Sequence, residues 1–381
     1  MSSQNEITID GKPYIFEDGE TILDVATRND IYIPTLCHLK GTVPTGACRV
    51  CLVDVEGARN LTTSCTMPAS NNMIVHTDTP KVIQARRFVI ALIMVSGSHN
   101  CAIGAAKQDD WTDYQLDVME YDKTTELCDA YGICKLQELA YKYQVADLVK
   151  ELNLTAHKPK YELEDVNPFI TRDFSRCILC GRCVKACNEV VVNRVISIGY
   201  RGIKSKIVTS GDSSYIDSDC VFCGQCLEVC PVGALIDKKA RGLSYKWEEN
   251  IVRSTCPYCG VGCQIWLHVK DCRIVKVSAV EDGAPNMGRL CVKGRFGYDF
   301  IYSDERLKTP LIKEKNGFRE ASWDEALDMV AEKFKKIISE HGADAIAGVS
   351  CARSINEDSY QMQKLFRAVI GTNNIDHCAR T

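Results

Sequence analysis

The sequence lacks the features that mark secreted, membrane-spanning and nucleic-acid-binding proteins. No basic segment followed by an apolar one is present at its N-terminus, so we expect no secretory signal. The apolar run that follows Arg86 and Arg87, from Phe88 to Val95, is too short to cross a bilayer. A surplus of positive charge is also missing, because the formal net charge is −4, and this argues against phosphate-backbone binding. These absences predict a soluble, cytoplasmic chain without a membrane span.

Cysteine, by contrast, is abundant. The 381 residues include 22 cysteines, bunched at spacings of two and three residues in a chain with 25% charged and 45% hydrophobic residues. A chain of this length is expected to form two to four domains, and a disulfide framework suits short secreted proteins instead. Closely spaced thiolates direct several soft donors at one centre, which favours iron-sulfur ligation, with zinc ribbons as the alternative.

Local patterns predict how the chain is organised around these cysteines. Asp10 and Gly11 separate two short β-forming runs and are typical of a hairpin turn. Thr21 and Asp24 form a variant capping box that predicts a helix start. From residue 320 onward, helix and strand patterns alternate, beginning with a helix at Trp323, which suits the start of a doubly wound domain.

The first cysteine group is Cys37-x10-Cys48-x2-Cys51-x13-Cys65. It resembles the [2Fe-2S] loop of the large iron-sulfur subunit of respiratory complex I and of NAD-linked hydrogenases. Its spacing departs from the C-x4-C-x2-C of plant ferredoxins, although the β-grasp-like flanks agree. The resemblance implies one [2Fe-2S] cluster on these four thiolates, with four packed cysteines as the alternative. His38 is interpreted as a loop residue.

The second group is less regular and comprises His99, Cys101, Cys128 and Cys134. It resembles the [4Fe-4S] motif of one histidine and three cysteines in the same families, where the usual pattern is H-x3-C-x2-C-x5-C. Only the C-x5-C half matches, and a gap of 26 residues separates it from Cys101. The alternative is that His99 is an ordinary core or surface histidine and that the thiols are free.

The third group is an internal repeat of C-x2-C-x2-C-x3-C that resembles the bacterial two-cluster ferredoxin. In that family the fourth cysteine of each run ligates the other cluster. The resemblance therefore implies two crossed [4Fe-4S] sets, of which one is Cys177, Cys180, Cys183 and Cys230, and the other is Cys187, Cys220, Cys223 and Cys226. Asn188 stands where proline usually follows the first run.

The fourth group combines Cys256, Cys259, Cys263 and Cys291. It resembles the N-terminal [4Fe-4S] motif of molybdopterin-guanine-dinucleotide oxidoreductases. The resemblance implies that Lys293 lies between the cluster and a pterin, where it would bind the cofactor and relay electrons. The alternative is that Lys293 is a surface lysine. The neighbouring glycines suit tight loops whose backbone N–H groups approach the sulfurs.

The run from Gly371 to Arg380 resembles the segment before the metal-binding selenocysteine of formate dehydrogenases. Because selenocysteine is encoded by UGA, the sequence is expected to continue beyond Thr381, with the catalytic residue at the next position and none within the 381 residues. Cys378 belongs to this run without being the metal ligand in that family. We interpret Cys272, Cys351 and Cys378 as packed structural thiols.

Together the resemblances predict a multidomain α+β chain. Its segments are a β-grasp [2Fe-2S] domain over 1–80, a helical histidine-ligated [4Fe-4S] domain over 81–150, a linker over 151–168, a two-[4Fe-4S] ferredoxin domain over 169–245, the [4Fe-4S] domain of a molybdopterin oxidoreductase over 250–310, and the incomplete start of its molybdopterin-binding α/β domain over 311–381.

The function implied is that of the N-terminal part of the catalytic subunit of a cytoplasmic formate dehydrogenase. Formate would be oxidised reversibly to carbon dioxide at molybdenum or tungsten held by bis-molybdopterin guanine dinucleotide, beyond residue 381. Electrons would pass through one [2Fe-2S] and four [4Fe-4S] clusters to a flavin-bearing, NAD(P)-reducing iron-sulfur subunit, or to an iron-iron hydrogenase or ferredoxin. Two alternatives stay open, a truncated electron-transfer or scaffold protein and another molybdopterin enzyme such as a nitrate reductase.

Overall fold

The structure, a computed structural model, describes residues 5–97, 99, 128–152 and 161–379. The chain divides into two compact units, Met1–Glu249 and Asn250–Thr381, which are treated separately below. Cys101, one of the ligands predicted for the second site, lies outside the described residues. In the ranges that the structure covers, no helix is long and apolar enough to cross a membrane.

The first unit begins with a five-stranded mixed sheet of order β2-β1-β5-β3-β4. Its elements are β1 (Glu6–Ile9), β2 (Lys12–Ile15), α1 (Ile22–Arg28), β3 (Leu52–Val55), β4 (Thr62–Thr63) and β5 (Ile74–His76). Strand β1 pairs antiparallel with β2 and parallel with β5. This is the expected β-grasp arrangement, and the loop between α1 and β3 carries the first cysteines of the chain.

Local sequence signals account for these elements. Asp10 and Gly11 both adopt left-handed φ values, 50° and 78°, as a two-residue hairpin turn requires. Thr21 caps α1 by accepting from the Asp24 N–H, while the Asp24 carboxylate accepts from the Thr21 N–H, so the capping box is confirmed. The apolar face of α1 then packs on the sheet through Ile22 and Val25.

Three helices follow the sheet in the described part of the first unit: α2 (Pro80–Val95), α3 (Lys135–Lys142) and α4 (Ala146–Leu152). Thr79 caps α2 by accepting from the Val82 N–H, with proline at the first helical position. Arg86, which is buried, donates to the Tyr143 hydroxyl at 3.1 Å and to the Leu52 carbonyl at 2.6 Å. These bonds hold α2 against both the β-grasp sheet and α3.

The last part of the first unit consists of short elements around two cysteine-rich loops. They are β6 (Ile170–Arg172), α5 (Arg182–Lys185), β7 (Ser197–Gly199), β8 (Lys206–Val208), α6 (Gln225–Glu228) and β9 (Leu235–Asp237). Strand β6 pairs antiparallel with β9, and β7 with β8. The first and last strands of the region are therefore joined, so the two halves of the internal repeat are brought together.

The second unit opens with an antiparallel sheet and continues with alternating helices and strands. Its elements are β10 (Asn250–Thr255), β11 (Gln264–Lys270), β12 (Arg273–Ala279), α7 (Val292–Phe296), β13 (Leu311–Glu314), β14 (Gly317–Glu320), α8 (Trp323–His341), β15 (Gly348–Ser350), α9 (Asn356–Lys364) and β16 (Ile375–His377). Strands β15 and β16 pair in parallel across α9. The predicted helix at Trp323 and the predicted alternation are confirmed.

Irregular helical turns complete the described structure. The 3₁₀ turns are Phe174–Arg176, Gly202–Lys204, Ser210–Asp212, Lys246–Glu248, Asp299–Tyr302 and Ala343–Ala345, and the π-helical turns are Ala186–Val190 and Leu365–Ile370. The 3₁₀ turn Ala343–Ala345 precedes β15, which begins at Gly348.

Candidate iron-sulfur centres

The cysteines predicted for the [2Fe-2S] site form two sulfur pairs. Cys37, Cys51 and Cys65 are buried, and the sulfurs of Cys51 and Cys65 lie 3.3 Å apart. A hydrogen bond from the Cys48 thiol lowers the pKa of Cys37 to about 5, and one from Cys65 lowers the pKa of Cys51 to about 7. The partners Cys48 and Cys65 have raised pKa values for the same reason. Two pairs suit two irons that each take two thiolates.

His38 follows Cys37 on the same loop. Burial lowers its pKa, while the nearby Asp24 carboxylate opposes that shift. The contact of this loop with the rest of the unit is specific, since the Val43 N–H donates to the Glu189 carboxylate at 3.0 Å. His38 thus lies on the cluster loop, beside the ligands rather than among the paired sulfurs.

The second predicted site is described in part. Cys134 is buried at the N-terminus of α3, and burial raises the pKa of Cys128. Gly233 permits the approach of Cys128, because a Cβ at that glycine would lie 2.8 Å from the Cys128 sulfur. His99 is half-buried, and a Cβ on Gly97 would lie 2.8 Å from its Nε2.

The internal repeat folds into two adjoining cavities, each lined by four cysteines. We call the first cavity the space lined by Cys177, Cys180, Cys183 and Cys230. The second cavity is lined by Cys187, Cys220, Cys223 and Cys226. In both, the fourth cysteine comes from the other half of the repeat, which is the crossed arrangement that the resemblance implied. Tyr215 lines both cavities and is buried between them.

The two cysteine loops repeat the same backbone conformation. Leu179 and Phe222 hold left-handed φ values of 54° and 52°, and the glycines two residues later, Gly181 and Gly224, hold 73° and 70°. Such φ values are strained for residues with a side chain and cost on the order of 1–3 kcal/mol each. In this conformation the Leu179 N–H donates to the Cys177 sulfur, with 3.4 Å between nitrogen and sulfur.

Burial governs the ionisation of the cavity thiols. It raises the pKa of Cys180 and of Cys226 to about 12, and it also raises the pKa of Cys183 and Cys230. In such surroundings a thiol stays protonated unless a cation stabilises the thiolate. Ligation by iron would therefore displace protons from both cavities.

A single hydrophobic cluster connects three of the predicted sites in the first unit. It is built on residues such as Leu36, Leu136 and Val232. The cysteines that belong to it or pack against it are Cys48, Cys128, Cys134, Cys177 and Cys230. Ligands of the [2Fe-2S] site, the second site and the first cavity thus share one apolar core, which excludes water between them.

The fourth predicted site lies in the second unit, between the β10–β11 turn and α7. The Cys256 N–H donates to the Cys263 carbonyl at 2.8 Å, closing the loop. Burial raises the pKa of Cys256 and of Cys263, and mutual repulsion with Cys259 and Cys291 adds to the shift. All four side chains therefore face one another.

Lys293 projects from α7 toward this loop. Its side chain is exposed, and its ammonium lies 5.6 Å from the centre of the Tyr258 ring, which stands between Cys256 and Cys259. The Tyr258 hydroxyl in turn donates to the Gly297 carbonyl at the end of α7. The predicted relay residue is thus held beside the cysteine loop.

The interpretation of the remaining cysteines as packed thiols is wrong for two of them. Cys272 is exposed in the β11–β12 hairpin turn, where it and Asp271 adopt left-handed φ values, so the strand pattern ends before it. Cys378 is also exposed in the described chain, and its sulfur lies 3.4 Å from that of Cys351. Parallel pairing of β15 with β16 places these two side by side.

The structure adds residues that the cysteine motifs did not reveal. Arg172 and Tyr215 both line the first cavity, and Glu164 forms an ion pair with Arg172. The internal repeat could have pointed to Arg172 and Tyr215, because each lies five residues before the first cysteine of its half of the repeat.

The donor sets fit iron-sulfur clusters better than single zinc ions. Four thiolates around one zinc converge to about 2.3 Å from a common centre. Among the described residues, no group of three or more histidine, cysteine, aspartate or glutamate side chains is close enough to hold a single metal ion. The crossed four-cysteine sets of the two cavities match the ligation of two-cluster ferredoxins.

Comparison with protein families agrees with this organisation. The matching family models are the 2Fe-2S iron-sulfur cluster binding domain over residues 3–80, the 4Fe-4S dicluster domain over 176–234, the Molybdopterin oxidoreductase Fe4S4 domain over 249–303 and Molybdopterin oxidoreductase over 306–381. The chain thus carries the iron-sulfur domains of the molybdopterin oxidoreductase family, followed by a segment that matches the molybdopterin oxidoreductase model.

Individual relatives are longer than this chain. The NADPH-Fe(3+) oxidoreductase subunit alpha of Geobacter sulfurreducens (strain ATCC 51573 / DSM 12127 / PCA) is 37% identical over 98% of this chain and 40% of its own length. A Staphylococcus aureus (strain USA300) protein provisionally described as a formate dehydrogenase is 33% identical over 100% of this chain and 39% of its own length. The chain therefore spans about two fifths of these curated relatives.

A solved structure also matches, under the description "Crystal structure of NAD+-reducing [NiFe]-hydrogenase in the H2-reduced state". Its sequence is 26% identical, its TM-score is 0.48, and the match covers 64% of this chain and 91% of that chain.

Proposed function

We propose that the chain is the electron-transfer portion of a formate dehydrogenase catalytic subunit. The full protein would oxidise formate reversibly to carbon dioxide, releasing one proton and two electrons, at a molybdenum or tungsten bis-molybdopterin guanine dinucleotide site beyond residue 381. The catalytic selenocysteine or cysteine would follow Thr381. The segment boundaries stated for the sequence are proposed as the domains of this portion.

The observation that carries this proposal is the position of the terminal run in the fold. Strand β16 ends at His377, and Cys378 follows at the carboxyl end of the parallel pair β15 and β16. Ligands of parallel α/β domains bind at the carboxyl ends of their strands. Cys378 therefore lies at the end of the sheet where a pterin-bound metal would be expected.

Five clusters would be held by the residue sets predicted from the sequence. The [2Fe-2S] site takes Cys37, Cys48, Cys51 and Cys65, and the second site takes His99, Cys101, Cys128 and Cys134. The first and second cavities hold two [4Fe-4S] clusters, and Cys256, Cys259, Cys263 and Cys291 hold the last. Lys293 would relay electrons between that last cluster and the pterin.

The apolar core shared by the [2Fe-2S] site, the second site and the first cavity supports electron transfer among those three sites. Electrons would enter from the Cys256 cluster, cross the two cavities and reach the histidine-ligated and [2Fe-2S] sites. The expected acceptor is a flavin-bearing NAD(P)-reducing subunit docked near the β-grasp sheet, or an iron-iron hydrogenase or ferredoxin. We propose a cytoplasmic location for this assembly.

A second candidate follows from the Geobacter relative, whose name describes NADPH and ferric iron as its reactants. In that case the same clusters would carry electrons from NADPH toward an iron(III) acceptor. The two candidates differ in the substrate that reduces the clusters.

An anaerobically isolated holoenzyme would separate them. Formate should bleach the cluster absorbance and reduce NAD+ or NADP+ through the partner subunit, with stoichiometric molybdenum or tungsten, and selenium where that residue is selenocysteine. Reduction by NADPH alone, with no response to formate, would favour the second candidate. An intact mass equal to that of 381 residues, without either metal, would sink both and leave a truncated electron-transfer protein.

A further inference from the structure

Arg172 ends strand β6 and is one of the most deeply buried charged residues of the first unit. Only 2% of its surface is exposed. Its Nε donates to Glu164 Oε1 at 2.8 Å, and its Nη2 donates to Glu164 Oε2. A second bond from Nη2 reaches the Ser213 carbonyl at 3.4 Å. This bidentate geometry fixes the plane of the guanidinium.

Two aromatic rings lie against the Arg172 guanidinium. The guanidinium carbon lies 4.1 Å from the centre of the Tyr215 ring and 4.9 Å from that of Phe174. Tyr215 is the repeat-related counterpart of Arg172, since both precede a first cysteine by five residues. The two equivalent positions are therefore in contact beside the first cavity.

One donor of this fixed guanidinium is left over. Nη1 is buried and has no hydrogen-bond partner among the described residues. A buried, charged N–H without a partner is energetically costly, so a bound group that accepts from it would be favoured. Arg172 lines the first cavity together with Cys177, Cys180, Cys183 and Cys230, so a group bound in that cavity is a candidate partner for the orphaned donor.

The second cavity has no counterpart to this donor. Its described lining comprises the four cysteines with apolar and neutral polar residues, including Asn193 and Gln225, and contains no charged side chain. The Tyr215 hydroxyl stands 3.9 Å from the Cys226 sulfur, so the equivalent position supplies a neutral, long contact there. The repeat has thus placed a cation in the lining of the first cavity and not of the second, while the Tyr215 ring borders both.

We propose that Arg172 donates a hydrogen bond from Nη1 to a sulfur of the cluster in the first cavity and raises its reduction potential above that of the cluster in the second cavity. This inference rests on the proposed assignment of the two cavities to [4Fe-4S] clusters. Hydrogen bonds to cluster sulfurs and nearby positive charge favour the reduced, more negative state. Arg172 is a positioning and tuning residue, and the first cavity becomes the electron sink of the pair.

The test is a potentiometric titration of the anaerobically purified holoenzyme, followed by electron paramagnetic resonance. The signal of the first cavity is identified as the one that Cys180→Ala removes. In Arg172→Met that signal should shift to a more negative potential, by at least a tenfold change in the reduction equilibrium, about 59 mV for one electron. The signal of the second cavity should shift less.

Glu164→Gln supplies a second, opposite test that keeps Arg172 in place. Removing the carboxylate leaves the guanidinium charge uncompensated, so the same signal should move to a more positive potential. Arg201→Met, which removes an exposed arginine from the same region, should leave both potentials unchanged. A purely structural role for Arg172 predicts loss of iron in both variants and no opposite shifts.

Each outcome supports or overturns the proposed role of Arg172. Unchanged potentials in an iron-replete Arg172→Met protein overturn the inference. If that variant fails to assemble, the sign of the Glu164→Gln shift decides alone, and no shift overturns the inference. If Cys180→Ala removes no [4Fe-4S] signal from a wild-type holoenzyme, the cavity assignment is wrong and the role of Arg172 falls with it.

Discussion

The two cavities of the internal repeat are alike in backbone and unlike in chemistry. Both are lined by four cysteines in crossed sets, and their loops repeat the left-handed residues at Leu179 and Phe222. They differ at the position five residues before each first cysteine, where one half has Arg172 and the other Tyr215. The repeat therefore fixes where thiolates converge, while one side chain makes the two electrostatic environments unequal.

This difference has a functional meaning in an electron-transfer chain. Two identical neighbouring clusters would share an electron evenly, whereas unequal ones favour one direction. Cluster potentials respond to net charge, hydrogen bonding and burial around the sulfurs. A buried cation on one side of a repeat changes the first two of these without disturbing the ligands.

The largest effect is expected from substitutions that test whether the two cysteine sets are crossed. Cys230→Ala should abolish the cluster of the first cavity, although Cys230 belongs to the motif that begins at Cys220, with a loss of about four iron atoms. It should remove the same resonance signal as Cys180→Ala. The reciprocal Cys187→Ala should abolish the cluster of the second cavity instead.

The exposed Cys272 offers a matched control, because Cys272→Ala should leave the iron content unchanged. Iron analysis and resonance spectra of the anaerobic protein provide the measurement. Should Cys230→Ala remove the signal of the second cavity, the ligand sets are not crossed.

A smaller effect, on thermal stability, is expected from substitution of Tyr215, which lies between the two cavities. Tyr215→Ala removes a buried ring that lines both cavities, so it should destabilise the first unit by about 3–5 kcal/mol. Both clusters should then be lost at a lower temperature than in the wild-type protein, which absorbance at the cluster bands would follow during heating.

Tyr215→Phe sharpens the comparison by keeping the ring. It removes only the hydroxyl near Cys226, so thermal stability should change little and only the potential of the second cavity should fall slightly. Selective loss of one cluster in Tyr215→Ala would contradict a shared wall.

The smallest effect tests the symmetry of the two loops. Gly181 and Gly224 have φ values of 73° and 70°. A Cβ at Gly181 would meet no atom within 4 Å. Alanine at Gly181 should therefore cost only backbone strain, about 1–2 kcal/mol. Because the two loops repeat the same φ values, the same cost is expected at Gly224. Thermal loss of cluster absorbance would report it.

Gly242→Ala is the control for that pair, since this glycine has a φ of 72° and similarly open space in another turn. It should show the same strain. Clearly different destabilisation by Gly181→Ala and Gly224→Ala would mean that the two loops are not equivalent.

Much of the fold could be predicted because its signals are local. The Asp10–Gly11 turn and the capping box at Thr21 depend on a few adjacent residues, and both were confirmed. The helix at Trp323 and the alternation after it follow from apolar periodicity. The packed-thiol prediction for Cys272 failed because an apolar pattern resembles a strand up to the turn, and only the backbone reveals where pairing ends.

The cysteine sets were predictable for a different reason. Metal ligation requires donors at short fixed spacings, so C-x2-C-x2-C-x3-C records its chemistry in the linear sequence. The second site shows the limit of this rule, because its 26-residue gap and Cys101, outside the described residues, leave the set incomplete in the structure. Its ligands stay a prediction.

The sequence by itself determined the inventory of this protein: the thiolate motifs, the repeat, the likeness of the terminal run to a pterin-enzyme segment, and the absence of excess positive charge. Only the tertiary structure decided which residues meet. The pairing of β6 with β9 brings Arg172, Tyr215 and Cys230 around one cavity, although they lie tens of residues apart. The spacing of residues in the sequence predicts contacts within a loop, whereas contacts between loops depend on tertiary packing. The residues that surround the two cavities are therefore set by packing.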